Sequence, residues 1–307
     1  MKKQFVLGIS ALTLLVSATI NAETIKIGVG SPDSEYVKII VPAINQALQE
    51  HGYTAVAEIS TGIQQDIDNV MAGEISAALS QIDVAALNMT TAKDPNENLL
   101  LLWGRIALRA LFCVAHKGGS VMTYNDLTAK REPPLNVSIG DEKSEIVQTF
   151  QYLMKLEPEL KNLKFHYKPR TRVEFSRLLS GRRDLVCFVA IPNPEHELIK
   201  RVMEHDELFF IGIEHPSFSD VKIGKNRIYD IMEVPVTKGV FGFNAEKVKT
   251  VVTWIGMVVN EKKVDEKTLD ILSAAVMKPD LLTSNTLGAK AGRFFDKIMN
   301  QIGEAID

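Results

Sequence analysis

The chain has 307 residues, with 35 lysines and arginines against 38 aspartates and glutamates and a formal net charge of −3. That length exceeds the usual size of one domain and allows two lobes, and the composition is that of an ordinary globular protein. The mildly acidic balance, with no dominant basic tract, argues against nucleic acid as a partner.

Lys2 and Lys3 precede an apolar run from Phe5 to Val16, and Ala22 is a small residue ahead of Glu23. This pattern predicts a secretory signal peptide over residues 1–22, cleaved after Ala22. The run is shorter than the roughly 20 apolar residues that span a bilayer. No Cys stands at the cleavage site to carry a lipid, and no later stretch is long and apolar enough to cross a membrane. The expected product is periplasmic, soluble after signal-peptide cleavage.

Thr24 to Val29 alternates as a strand and Gly30 to Ser34 reads as a turn. Tyr36 to His51 reads as a helix with Ile39, Ile40, Ala43, Ile44, Ala47 and Leu48 on one side, and Pro42 marks its first turn. A strand from Ala55 to Ser60 runs into Thr61-Gly62. A helix follows, with Ile63, Ile67, Val70 and Met71 on one face, Thr61 as its hydroxyl cap and Gly73 as its left-handed end. The next strand, Ser76 to Ser80, ends on Ser80-Gln81, and a helix runs on from Asp83. In an open parallel α/β sheet these strand ends share one edge, where ligands bind. Uncharged polar ends beside a helix N-terminus suit a small anion. A loop over 94–98 and two strands, Leu99 to Trp103 and Leu108 to His116, complete the first half.

The second half repeats the strand–helix pattern. Strands are expected over Leu135–Ile139, Lys164–Lys168, Leu185–Ala190 and Leu208–Ile213, and helices over Thr123–Leu127, Glu145–Lys155, Glu174–Leu179 and Leu198–Met203. Pro192 and Pro194 stop the Leu185 strand. Ile231–Val236 and Val240–Phe243 read as extended. Thr250–Val259 reads as an apolar strand crossing back to the first lobe. Helices follow over Asp265–Met277 and Ala289–Ile302, with a break at Lys278-Pro279-Asp280. The expectation is an α/β fold in two lobes, 23–108 with 237–307, and 109–236. Extended crossings near His116 and Val236 would leave a cleft that closes on a ligand.

Export permits a disulfide between Cys113 and Cys187, but each lies inside an apolar run, which favours buried, unbonded thiols. The six histidines are scattered, and Glu195-His196-Glu197 lacks the second His of a helical metal site, so no metal and no cofactor is expected. Ser31, Ser60, Ser80 and Ser144 are possible nucleophiles, but none lies in Gly-x-Ser-x-Gly, which argues against an enzyme. Lys168, Arg170, Arg172 and Arg177 form a basic cluster that reads first as a solvated face and second as part of an anion site.

Several short stretches together resemble the solute-binding proteins of TRAP transporters, specifically the TAXI family. They are Ile27-Gly28-Val29-Gly30-Ser31 with Tyr36, Ser60-Thr61-Gly62, Ala72-Gly73-Glu74 and Ser80-Gln81-Ile82-Asp83-Val84-Ala85. Val137-Ser138-Ile139-Gly140 with Ser144, Pro192-Asn193-Pro194, and Val248 to Val259 followed by Val264-Asp265-Glu266 extend the likeness over most of the chain. The chain departs from the family at Ser31-Pro32-Asp33-Ser34-Glu35 and at Asp141-Glu142-Lys143-Ser144, where added carboxylates would repel an anion, and at Ile63-Gln64 after the Thr-Gly turn. The resemblance implies a two-lobed periplasmic-binding-protein-like fold with a central ligand cleft. It also implies a receptor that captures a small organic acid, glutamate-like or another carboxylate, and delivers it to TRAP membrane permease subunits. The expected ligand-binding residues are Ser31, Tyr36, Thr61, Gly62, Ser80 and Gln81 from the first lobe, and Ser144, Arg170, Arg172 and Asn193 from the second. Arg105 is a further cation candidate. The competing classes are an ABC-importer binding protein, a sensor domain or, further off, a secreted hydrolase.

Overall fold

The computed structural model describes residues 23–91, 99–223, 226–238, 244–278 and 281–282. The signal peptide, the 94–98 loop, the extended segment Val240–Phe243, the break at Pro279-Asp280 and the helix Ala289–Ile302 lie outside the described residues. In the first lobe the chain forms β1 (Glu23–Gly28), a π-helical turn (Tyr36–Ile40), α1 (Val41–Gln49), β2 (Tyr53–Glu58), α2 (Ile63–Ala72), β3 (Ala77–Gln81) and α3 (Ile82–Thr91). The long strand β4 (Leu99–His116) leads into α4 (Asn125–Thr128), β5 (Asn136–Ser138), α5 (Glu145–Leu156), a 3₁₀ turn (Pro158–Asn162), β6 (Lys164–His166), α6 (Thr171–Leu179), β7 (Leu185–Ala190), α7 (Glu197–Met203) and β8 (Leu208–Ile211). After these come α8 (Pro216–Ser219), β9 (Lys222–Ile223), β10 (Asn226–Arg227), β11 (Asp230–Pro235), β12 (Lys247–Asn260) and α9 (Glu266–Val276).

The local rules hold where side-chain pattern and punctuation agree. Pro42 sits within the first two residues of α1, and the apolar stripe Ala43, Ile44, Ala47 and Leu48 is buried. Gly73 ends α2 with φ 79°, the left-handed region in which an L side chain is strained. Asp265 caps α9 by accepting the Thr268 N–H at 3.0 Å. Thr61, expected as a hydroxyl cap for α2, is not one. Its N–H and hydroxyl both donate to Gln65 Oε1, at 2.9 and 2.8 Å, and Gly62 occupies the capping position instead.

One sheet runs through both halves in the order β2-β1-β3-β12-β4-β7-β5-β6, with β11 beside β12 and β8 beside β4. β1 is parallel to β2 and β3, and β5 is parallel to β6 and β7, so each half has its own parallel core. The antiparallel strands β4 and β12 join them. Leu99 to Leu102 of β4 pair with Asn260 to Met257 of β12, and Ala110 to Val114 pair with Ala190 to Val186 of β7. The expectation of separate strands at Leu99 and Leu108 gives way to a single strand that carries a register shift. Ala107 is opposite Ile255, whereas Leu102 is opposite Met257, so Trp103 to Ile106 bulge out of the ladder. β12 behaves likewise: Lys247 to Val252 pair with β11, and Ile255 to Val258 pair with β3. Each of these two strands therefore pairs with partners on both sides of its irregular stretch. His116 pairs with Leu208 at the far end of β4, and Val236 simply follows β11. Among the described residues, no helix is long and apolar enough to cross a membrane.

The cysteines are bonded, contrary to the expectation of free thiols. β4 and β7 run antiparallel with Cys113 directly opposite Cys187, and their Cα atoms are 4.1 Å apart. Each strand taken alone shows only a buried small residue; the pairing register brings the sulfurs together. A bridge across a sequence separation of 74 limits the unfolded chain. Replacing both cysteines by alanine is expected to lower the unfolding free energy by about 2–4 kcal/mol. The check is a urea titration, and a midpoint unchanged from the oxidised protein would contradict it.

Candidate functional site

A cavity of about 720 Å³ lies where the two halves face each other. The first half contributes the turn after β1 (Gly30, Ser31) and the turn after β2 (Thr61, Gly62), and the second contributes the turn after β5 (Gly140 to Ser144). Parallel strands place those turns on one edge of the sheet, which is why the strand-end pattern could be read at all. Ser31, Tyr36, Thr61, Gly62 and Ser144 line the cavity. The two lobes touch closely here. A Cβ on Gly62 would lie 2.4 Å from the Lys143 carbonyl oxygen.

The other expected residues lie elsewhere. Ser80 and Gln81 are wholly buried in β3, outside the cavity wall, because the strand continues one residue past Ser80 and both pair with β12. The Ser80 hydroxyl donates to the Gln81 carbonyl at 3.0 Å, and both side-chain polar atoms of Gln81 lack a hydrogen-bond partner among the described residues. Arg170 is exposed at the start of α6, although its neighbours Pro169 and Thr171 line the cavity. Arg172 is exposed and paired with Glu197. Arg177 belongs to a separate cluster in which buried Glu174 binds it and Arg183. Asn193 uses its Oδ1 to accept the Glu195 N–H at 2.9 Å. Arg105, in the bulge of β4, lies 5.1 Å over the Trp254 ring.

The cation that does reach the cavity is Arg109, which sequence reasoning passed over. It stands in β4 opposite Thr253, two residues beyond Ala107, where pairing with β12 resumes after the bulged segment. The signal was present: one arginine inside Ile106-Ala107-Leu108-Arg109-Ala110-Leu111, where a buried charge must be paired. Arg109 Nη1 donates to Glu145 Oε2 at 2.5 Å, and Nη2 donates to the Val189 carbonyl at 3.0 Å. Glu35 Oε2 is 3.5 Å from Nη2, and the same carboxylate accepts the Ile191 N–H. Tyr36 donates its hydroxyl to Glu145 Oε1 at 2.5 Å, and the guanidinium lies 5.4 Å over its ring. Glu35 and Tyr36 come from the first half, Glu145 and Val189 from the second, so the cluster ties the lobes. Burial alone would pull Arg109 down, but Glu145, Tyr36 and Glu35 hold it above its ordinary value. Burial and then the Glu145 charge push the Tyr36 phenol well above its usual range.

Two buried aspartates flank this cluster. Asp66, in the first turn of α2, accepts the Gly30 N–H at 2.8 Å through Oδ2. A Cβ on Gly28 would come within 2.8 Å of the Asp66 Cγ, so the glycine makes room for the carboxyl. Asp83, in the first turn of α3, accepts the hydroxyls of Thr149 (2.7 Å) and Tyr229 (2.8 Å) through Oδ2 and thereby joins α3 to α5. Burial pushes both carboxyls up to about 6 against the hydrogen bonds that favour the charged form.

A raised folded value means that the native state holds a proton the unfolded chain releases above about pH 4. Stability is therefore greatest below that point, falls as pH rises towards 6, and levels off above it. Each of these aspartates is expected to contribute about 1–3 kcal/mol to that fall. Asp83→Asn removes one contribution, so urea titrations at pH 4.5 and 7 should differ less for the variant than for the wild type. Identical pH slopes would show that Asp83 titrates normally.

No protein-family model matches the chain, and no curated protein matches it. Solved structures do. A Salmonella typhimurium periplasmic binding protein described for high arginine specificity shares 11% identity, with 89% of this chain and 98% of that one covered, at a TM-score of 0.50. The BvgS VFT2 domain of Bordetella pertussis, a double mutant, shares 12% identity over 88% of this chain and 93% of that one, also at 0.50. The fold is that of the two-lobed periplasmic binding proteins. Identities this low show the fold and leave the ligand to be argued from the cleft.

Proposed function

We propose that the chain is a periplasmic solute receptor that closes two lobes around a small molecule and delivers it to a membrane permease. The observation that carries this reading is the cavity itself, walled by turns from both halves of a sheet in which, among the described residues, β4 and β12 join the two parallel cores. A bulge bends its strand and locally disrupts the ladder. The lobes accordingly divide within β4 at Trp103–Ile106 and within β12 near Ile255, and these segments form the hinge. A ligand touched by both lobes binds the closed form better and so shifts the equilibrium towards it.

The resemblance to TRAP-type receptors adds two finer points, an organic acid as solute and a TRAP permease as partner. Support for an acid comes from Arg109, which lines the cavity and whose Nε has no hydrogen-bond partner among the described residues. Thr61-Gly62 opens α2 and Ser144 opens α5, and helix N-termini favour anions. Ser31, Tyr36, Thr61, Gly62 and Ser144 are the residues proposed to surround the solute. Delivery to an ABC importer, or service as a sensor domain, is compatible with the same cleft. The deciding experiment is native mass spectrometry of the purified protein with identification of the released small molecule. A small carboxylate released intact, with a smaller radius of gyration when bound, is the expected result. Chemical turnover of the bound molecule would replace the receptor with an enzyme.

A further inference from the structure

We propose that the β6–α6 segment of the second lobe is a docking surface for an anionic phospholipid bilayer. The proposal goes beyond the receptor reading and requires no solute. Residues 161–173 hold five cations, Lys161, Lys164, Lys168, Arg170 and Arg172, and no aspartate or glutamate. All five are exposed, on a chain whose net charge is −3. Arg172 is paired with Glu197, and the other four make no ion pair among the described residues. The first acid after the run, Glu174, is buried and taken by Arg177 and Arg183. The positive charge of the segment is therefore left facing solvent.

Two apolar side chains stand among these cations. Tyr167 is 42% exposed and Val173 43%. β6 ends the strand order of the sheet, so one of its edges has no partner strand among the described residues. That edge is only three residues long, and Pro169 follows, which leaves too little regular backbone for another protein to add a strand. What remains is diffuse positive charge on long stems, an amphipathic tyrosine and a small aliphatic contact. Anionic headgroups attract the first, and the bilayer interface accommodates the other two. Pro169 and Thr171 also line the cleft, so a lobe held by this face would carry the cleft close to the bilayer.

Cosedimentation of the whole protein with vesicles tests the assignment. One set contains phosphatidylglycerol and phosphatidylethanolamine in equal parts, and the other phosphatidylcholine alone. Binding to the first and not the second is expected at about 0.05 M salt, with loss at about 0.5 M as screening shortens the reach of the charges. Lys168→Glu with Arg170→Glu should lower the partition coefficient by about 30-fold or more. Lys262→Glu with Lys263→Glu makes the same change in net charge at two exposed lysines in the turn after β12, beside Gly73 of the first half, and should lower it far less. All four side chains are exposed, so both variants should keep the wild-type circular dichroism. Equal losses in the two variants would assign the effect to net charge and overturn the surface. No binding to the anionic vesicles at low salt, or equal binding to both sets, also overturns it. Binding to polyglutamate without binding to vesicles would give the patch to an acidic protein and overturn the bilayer.

Discussion

Gly62→Ala is expected to weaken solute binding by about 5- to 150-fold while leaving the fold intact. The added Cβ would lie 2.4 Å from the Lys143 carbonyl oxygen, a contact across the cleft, and 3.1 Å from the Lys143 Cβ. Neither neighbour is the yielding tip of a flexible side chain, so the lobes must separate to admit the methyl group. Overpacking of this kind costs about 1–3 kcal/mol, which becomes the affinity loss when only the closed form binds tightly. Gly62 also has φ 153°, where alanine is strained, so a control must isolate that contribution. Gly52→Ala serves, because Gly52 has φ 79° and nothing within 4 Å of an added Cβ. The control should lose some stability and no affinity. Calorimetry with the copurified solute decides the matter, and Gly62→Ala binding as well as Gly52→Ala would mean that the lobes do not need this contact.

Arg109→Met should be the most destabilising single change in the cleft, costing about 3–5 kcal/mol of unfolding free energy. The loss comes from what is left behind. Glu145 and Glu35 are 12% and 16% exposed at the side chain, and the guanidinium joins them from β4. Without it, two carboxylates and the Tyr36 hydroxyl share a poorly hydrated space with no countercharge. Adding Glu145→Gln to Arg109→Met removes one of those charges, so the double variant is expected to recover part of the loss. That non-additivity is the signature of a coupled pair. Urea titrations of the four proteins give the cycle. A loss below 1 kcal/mol for Arg109→Met would show that water already reaches the carboxylates.

How much of this could be read in advance follows from what a local pattern encodes. The segment from β2 to β3 was legible because each element there announces itself: an apolar stripe at helical spacing in α2, a left-handed stop at Gly73, and polar residues just past β2 at Ser60 and at the end of β3 at Gln81. The turns that line the cavity were legible for the same reason. β4 was not. Trp103-Gly104-Arg105 interrupts its alternation and reads as a break, whereas neighbouring strands carry the chain through it as a bulge. The disulfide and the Arg109 cluster were hidden because both depend on register across strands and on contacts between residues as distant as Glu35 and Ile191. Arg170 and Arg172, in a cationic run read first as a solvated face and second as part of an anion site, are exposed, and Glu197 pairs with Arg172.

The Cys113–Cys187 bond stitches β4 to β7 on the second-lobe side of the bulge, and the ladder with β8 holds the far end of β4. Mechanically, that portion of β4 is clamped to the second lobe and cannot flex on its own. In the proposed receptor, bending between the lobes would then fall on the unclamped length of β4 and the adjacent part of β12, two neighbouring strands that would act as a leaf spring. Arg109 sits at the clamped root of that spring. In the proposed receptor, small rotations there would become larger displacements at the rim, where Gly62 meets Lys143, so a local change at the cleft floor would be amplified at the molecule's edge.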